Sequence, residues 1–508
     1  MSADAAGRAQ SQATVSVPTR GVRNTTLRLT PRSVRDCSTL EDAPNAALMP
    51  GTFTSGQRAL TVTSLFSVAI LALAGFTLMD APAAATIAFD GLYVADAFSA
   101  FLKVIILVAA AASVLLAQPW LGASGGRFEY PVLMLLATLG MGIMVSANDL
   151  LTLYVGLELA ALPSYVLAAF HRADERSAEA GLKYFVLGAL ASGILLYGVT
   201  LVYGFAGSTQ LDVIAGIVSG QSERSLGLLF GIVFILSGLA FKVSAVPFHM
   251  WTPDVYEGAP TPVAAFFSAA PKAAALGLMA RVLVVAFPGK VAPDWQQIIM
   301  FIAIASMALG AVAAVAQSNI KRLLAYSSIA NIGFALVGLS PGTPAGISAL
   351  LFYISVYVAM TLGSFLVVLQ LRTADGRPAE TLADFAGLSK TRPGLALAMA
   401  VFMFSLAGIP PLLGFWPKFA VFQAAIDAGL IGLAIIGFIA SVVAAFYYLR
   451  LIKIMYFDEP AGAVESVGGP VNGAMIAACA LVCSPLGMLA MSPLALATSR
   501  AAAALFPA

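Results

Sequence analysis

The sequence predicts an all-α, polytopic membrane bundle of about 13 to 14 transmembrane helices, with two inverted five-helix repeats and broken helices. Three observations lead there. The 508 residues are 60% hydrophobic and only 10% charged, against roughly 25% charged in a soluble domain. Apolar runs of about 20 residues, enough to cross the hydrocarbon, recur along the chain with short loops between them. Basic residues also cluster in alternate loops: Arg127, Arg172, Arg176, Lys321, Arg322, Arg372, Arg377, Lys390, Arg392, Arg450 and Lys453 fall on one side, and little beyond Arg224 and Lys290 on the other. The positive-inside rule puts the first set in the cytoplasm.

Residues 1–57 form a polar N-terminal tail rich in Ser, Thr, Ala and Arg, with the bias of a transit peptide, a disordered segment or a misassigned start. The transmembrane domain is expected over 58–508. Its apolar runs begin near Leu60, Phe98, Tyr130, Leu150, Leu182, Leu226, Val263, Ile298, Leu323, Ile347, Leu395, Val421 and Ala474. The loops RTADGRPAETLADFAGLSKTRPG and FDEPAGAVESVGGPV are polar, and their Pro and Gly residues oppose long helices.

Two runs carry helix breakers beside a lysine. Lys242 precedes Pro247, and Pro410, Pro411, Gly414 and Pro417 precede Lys418. Proline removes a backbone donor, so unwound chain here must be buried or line water. Lys242 lies in the sixth run and Lys418 follows the eleventh, which a five-helix unit repeated once accounts for. An odd-numbered unit inserted twice in succession has opposite orientations.

Charges inside such runs cost at least ~2.5 to 3.5 kcal/mol and mark ion paths by default. Glu158, Lys242, Lys272 and Lys418 are the candidates. Glu158 needs a partner, and Lys242 is its natural one, in a regulating pair or a static one. Lys242 and His249 are seven residues apart, on one face of an undistorted helix. His249 is then a proton relay or a loop anchor, and His171 an interfacial residue. Lys272 follows Pro271 with no adjacent acid, so it either joins Lys242 to Lys418 through water or coordinates broken-helix carbonyls. Lys183 ends in headgroups or on the cavity, Lys103 reads as an interface anchor, and Asp254 and Glu257 as helix caps.

Cys37, Cys479 and Cys483 have no metal-site spacing, and no nucleotide loop, haem motif or iron–sulfur cysteine run is present. Redox chemistry is therefore expected in other chains. A net charge of +2 argues for no anionic partner such as nucleic acid.

The stretch FKVSAVPFHMWTPDVYEGAPTPVAAFFSAAPKAAALGLMAR resembles the antiporter-like membrane subunits of the proton-pumping NADH:quinone oxidoreductase, respiratory complex I. LTLYVGLELAALPSYVL, QSNIKRLLAYSSIANIGF and SLAGIPPLLGFWPKF extend the resemblance from about Leu60 to the C-terminus. It implies 14 helices, the first of them replaced here by the polar tail. It further implies Glu158 and Lys242 as a pair regulating proton uptake with Lys183 nearby, Lys272 as connector and Lys418 as the exit-side lysine. Lysine rather than glutamate at 418, with no long lateral helix after Pro493, matches one branch of the family. Its members work beside neighbouring antiporter-like subunits in the lipid bilayer, while NADH, FMN, iron–sulfur clusters and quinone sit elsewhere in the complex. A bacterial inner membrane is expected rather than a mitochondrial one. The alternatives are a subunit of a multisubunit sodium/proton antiporter, or a structural anchor whose lysines only pack.

Overall fold

Lipid offers the backbone no hydrogen-bond partner, so each apolar run closes its own bonds as a helix. The computed structural model describes residues 44, 57–78, 85–123, 127–220, 225–460, 462 and 464–506. The tail expected over 1–57, Cys37 included, lies outside the described residues except for residue 44 and Gln57; Arg224 lies outside them too.

The chain begins with α1 (Gln57–Thr77), a hairpin of β1 (Thr86–Ala88) and β2 (Tyr93–Ala95), and α2 (Ala97–Ala123). Next come α3 (Glu129–Ser146), α4 (Leu150–Ala168), α5 (Glu175–Ala206), the short α6 (Leu211–Gly220), α7 (Leu226–Val243), α8 (Trp251–Gly258) and α9 (Thr261–Arg281). The second group is α10 (Ala292–Val315), α11 (Ile320–Leu339), α12 (Pro344–Gln370), a single turn α13 (Leu388–Thr391), α14 (Pro393–Ala407), α15 (Phe415–Asp427) and α16 (Ile431–Phe457). The chain closes with α17 (Pro470–Cys483) and α18 (Met491–Ala503), while β3 (Leu371–Thr373) pairs antiparallel with β4 (Val464–Ser466).

Among the described residues, 11 helices are each long and apolar enough to cross a membrane, and the bent pair α17–α18 can supply a twelfth crossing. The stretch 395–455 divides differently from the expectation. The runs near Leu395 and Val421 are not two full-length spans: they form α14 and α15, each shorter than a crossing and parted by a break at 408–414, and α16 follows as a separate helix. Gly408, at φ +80°, ends α14 in the left-handed region, and Pro410 and Pro411 keep the chain from resuming as helix.

The two groups repeat the same local devices. Asp149 caps α4 by accepting from the Leu151 and Thr152 amides, and Asn319 caps α11 by accepting from those of Lys321 and Arg322. A Cβ on Gly140 would lie 2.4 Å from the Ala160 nitrogen, and one on Gly310 would lie 2.5 Å from that of Ala330. Only glycine lets α3 meet α4, and α10 meet α11, at that distance. Both broken helices end in a left-handed residue, Ser244 after α7 and Gly408 after α14.

The basic loops gather at one end, as their alternation requires. Glu380 pairs with Arg176 from the first group and with Lys321 from the second, Arg127 donates to the Phe170 carbonyl, and Arg450 to that of Val315. Toward the other end, Arg281 on α9 makes a bidentate pair with Asp96 just before α2, at 2.8 and 2.9 Å. This ties the opening helices to the first repeat.

Candidate functional site

The broken helices position the candidate lysines. Helix α7 stops at Val243, leaving carbonyls without intrahelical donors. The Lys272 ammonium, reaching across from α9, donates to the Val243 carbonyl at 2.7 Å and to the Ser244 hydroxyl. At 1% exposure it is among the largest fully buried side chains. In the second repeat α14 stops at Ala407, and Lys418 on α15 donates to the carbonyls of Leu406 (3.1 Å) and Ala407 (3.2 Å) and to Ser441 (3.2 Å). Lys418 is 5% exposed. A cation at a helix C-terminus is favoured by the aligned peptide dipoles. Each break is thus closed by one ammonium.

This changes the expected correspondence between halves. Lys418 mirrors Lys272 in what it holds, not Lys242. Counted from the left-handed residue, Lys242 lies two positions before Ser244, and the residue two before Gly408 is Leu406. Lys272 thus holds one carbonyl of a broken helix, that of Val243.

Lys242 sits in the last turn of α7, not at a helix centre. Its ammonium donates to the Tyr165 hydroxyl on α4 at 3.3 Å and lies 5.7 Å from that ring's centre. The expected Glu158–Lys242 ion pair is not closed: the Glu158 Oε1 is buried without a hydrogen-bond partner, although its charge still acts on Lys242.

Expectations about His249, Asp254, Glu257 and Lys103 are corrected. His249 lies in the break between α7 and α8, so it shares no helix face with Lys242, and its Nδ1 is buried without a partner. Lys183, with 41% of its side chain exposed, pairs with Glu179 at 2.7 Å and Asp254 at 2.8 Å and so takes the cavity of its two expected settings. Asp254 and Glu257 do not cap helices but hold Arg322 at 2.7 and 2.9 Å. Together with Arg176, these residues line a charged cavity of about 180 Å³ at the end where the basic loops gather. Lys103 is no interface anchor either; it is buried and donates to the Tyr93 hydroxyl, a partner that the β1–β2 hairpin delivers. His171 packs edge-on against Trp120.

At the second break a pocket of about 440 Å³ reaches Lys418 past Phe419, Phe422 and Phe438. A Cβ added to Gly408 would stand 3.2 Å from the Lys418 Nζ and Cδ. Gly408→Ala therefore combines a left-handed alanine, which costs roughly 1–2 kcal/mol, with displacement of the ammonium. A drop of several degrees in the thermal midpoint of the purified assembly, with reduced transport, is the expected result.

At least 11 apolar helices, with the ammoniums of Lys272 and Lys418 buried at the open ends of α7 and α14, define the class as a polytopic membrane protein with charges inside its bundle. The family model described as the NADH:quinone oxidoreductase/Mrp antiporter transmembrane region matches residues 147–444. The chain is 58% identical over 441 residues to NADH-quinone oxidoreductase subunit N of Rhizorhabdus wittichii, covering 86% of this chain and 91% of the relative. In a structure of respiratory complex I from Thermus thermophilus with bound aureothin, one chain superposes with a TM-score of 0.78 at 35% identity. It covers 90% of this chain and 98% of its own. A chain of the Mrp complex from a Dietzia species superposes at TM-score 0.80 over 94% of this chain and 98% of its own; at 24% identity it shows the fold alone. The chain belongs to the NADH:quinone oxidoreductase/Mrp antiporter membrane family. Within that family it groups with the N subunits of NADH-quinone oxidoreductase, and it is a membrane subunit of that type.

Proposed function

We propose that this chain carries protons across the membrane along Glu158, Lys242, Lys272 and Lys418, driven by NADH:quinone electron transfer in other subunits. Glu158 and Lys242 form the uptake pair, Lys272 the connector and Lys418 the exit-side carrier. Lys183 and the charged cavity around it form the cytoplasmic mouth, with His249 on the path inward. The observation that carries this reading is the matched burial of Lys272 and Lys418 on the open ends of two broken helices. An ammonium held by carbonyls and hydroxyls can give up a proton and recover it without moving its neighbours. Carboxylates that would lock it in the charged form are missing from the hydrogen bonds of either lysine.

NADH, FMN, iron–sulfur clusters and quinone belong to other chains of the complex in this reading. Neighbouring antiporter-like subunits and lipid cover the exposed apolar faces, such as Leu151, Val155 and Leu162 on α4. The expected location is a bacterial inner membrane.

Lys272→Met and Lys418→Met test the path in membrane vesicles containing the assembled complex. Each is expected to lower NADH-driven proton translocation at least about tenfold, with the other subunits still co-purifying. Wild-type translocation in both variants would leave the lysines a packing role only. Recovery of the chain with cation-antiporter partners, free of flavin and iron–sulfur subunits, would instead favour a sodium/proton antiporter.

A further inference from the structure

The Lys242 ammonium and the Glu158 carboxylate form no ion pair, and the ammonium instead donates to a phenol on the helix that carries Glu158. Tyr165 lies two helical turns after Glu158 on α4, about 10.5 Å along the axis. Helical side chains tilt toward the N-terminus, so the Tyr165 ring reaches back in the direction of Glu158. Its hydroxyl accepts from Lys242 at 3.3 Å.

The surroundings hold that hydroxyl in place. A Cβ on Gly188 of α5 would fall 2.2 Å from the Tyr165 oxygen, so the phenol occupies room that only glycine leaves. The ring is clamped edge-on by Tyr184 (4.8 Å) and Phe185 (5.7 Å) from α5. Tyr184 in turn stacks on Trp251 at 4.4 Å, and Trp251 lies 5.5 Å below the Lys272 ammonium. The polar groups that act on the phenol are Glu158 and Tyr154 from α4, Tyr184 and Ser192 from α5, and Lys242 from α7. Of these, Glu158 Oε1 is buried without a hydrogen-bond partner. A buried carboxylate oxygen with no donor is costly unless a proton-bearing group visits it.

We propose that Tyr165 is the proton bridge of the uptake pair, carrying the proton between Lys242 and Glu158. The inference rests on the reading of Glu158 and Lys242 as that pair. In the step, an N–H bond of the Lys242 ammonium breaks as an O–H bond forms on the phenol oxygen. The phenol's own O–H bond breaks, and its proton passes through water to the Glu158 carboxylate, whose C–O oxygen forms the new O–H bond. Lys242 ends as the neutral amine, Glu158 as the neutral acid, and Tyr165 as the phenol it was. The reverse step restores the ion pair.

Tyr165→Phe keeps the ring and its contacts with Tyr184 and Phe185, and removes only the bridging oxygen. In vesicles with the assembled complex, NADH-driven proton translocation is expected to fall about tenfold or more. Because bridge and lysine serve one step, adding Tyr165→Phe to Lys242→Met is expected to cause no further loss. The alkaline limb of the pH–rate profile is also displaced, whereas a packing defect would scale the curve without moving it. Wild-type rates in Tyr165→Phe beside an impaired Lys242→Met would overturn the bridge alone, as would losses that multiply in the double variant. Wild-type rates in Lys242→Met would overturn the underlying pair as well. Should Tyr165→Phe fail to assemble, a fluorinated tyrosine at 165 keeps ring and hydroxyl but makes the phenol more acidic. A displaced profile then supports the bridge, and an unchanged one overturns it.

Discussion

Lys242→Met is expected to reduce NADH-driven proton translocation by about a hundredfold, the loss associated with removing a group that takes up and returns a proton. Methionine matches the volume of the lysine stem, and only the amine is lost. Lys242 sits in the last turn of α7, with the Tyr165 hydroxyl as its hydrogen-bond acceptor and with Glu158 acting on it from α4. No carbonyl of the break depends on it, because Lys272 closes that end. Helix α7 should therefore keep its shape and the assembly its subunits. Lys242→Arg separates two roles. A guanidinium stays charged at any accessible pH and cannot return a proton. If the lysine only supplied positive charge beside Glu158, arginine would restore transport; a proton carrier predicts that it does not. Proton uptake into vesicles, with NADH oxidation measured in the same preparation, reads both variants.

Asp96→Ala is expected to be the most destabilising single change in the membrane part. Asp96 is 4% exposed and Arg281 3% exposed, so removing the carboxylate strands a guanidinium in the interior. Breaking such a pair costs about 3–5 kcal/mol. The Val145 carbonyl, accepting from Arg281 Nε at 3.1 Å, and the Phe98 ring, 5.1 Å from the guanidinium, soften the loss without replacing the charge. Asp96 also accepts from the Ser99 amide at 2.8 Å and so helps to start α2. The double variant Asp96→Ala/Arg281→Met leaves no buried charge and should recover much of the stability. Thermal midpoints of the solubilised complex, with the amount of assembled complex, provide the measurement. A double variant no more stable than either single one would mean that helix initiation at Ser99, not charge burial, dominates.

Much of the fold was legible because its cause is local. Hydropathy acts on each segment separately, and the long helices lie where the apolar runs do. The division of 395–455 was not legible. Pro393–Ala407 and Phe415–Asp427 are each shorter than a bilayer crossing, and summing hydropathy over both cannot tell two spans from one broken span. The β1–β2 hairpin was missed for a related reason: three-residue strands leave no periodicity, although this hairpin gives Lys103 its partner.

The candidate site divides in the same way. The burial of Lys272 and Lys418 could be read from the runs around them, that of Lys103 and Lys321 could not, and what each lysine touches could not be read at all. Lys183 and Asp254 are 71 residues apart yet 2.8 Å from each other, and Arg322 joins them from the second repeat. Tyr165 had a sequence signal in its place seven residues after Glu158, on the same helix face, but without the α7 break nothing pointed to it.

The sequence by itself determined a membrane bundle, its repeats and the charges that a bilayer penalises, because transfer from water depends on composition over about 20 residues. Only the tertiary structure decided that Lys272 and Lys418 close the two broken helices, that Glu158 and Lys242 form no ion pair, and that Lys242 meets the Tyr165 hydroxyl instead. Hydrogen bonds act over about 3 Å, and such distances are set by the crossing of helices far apart in the chain.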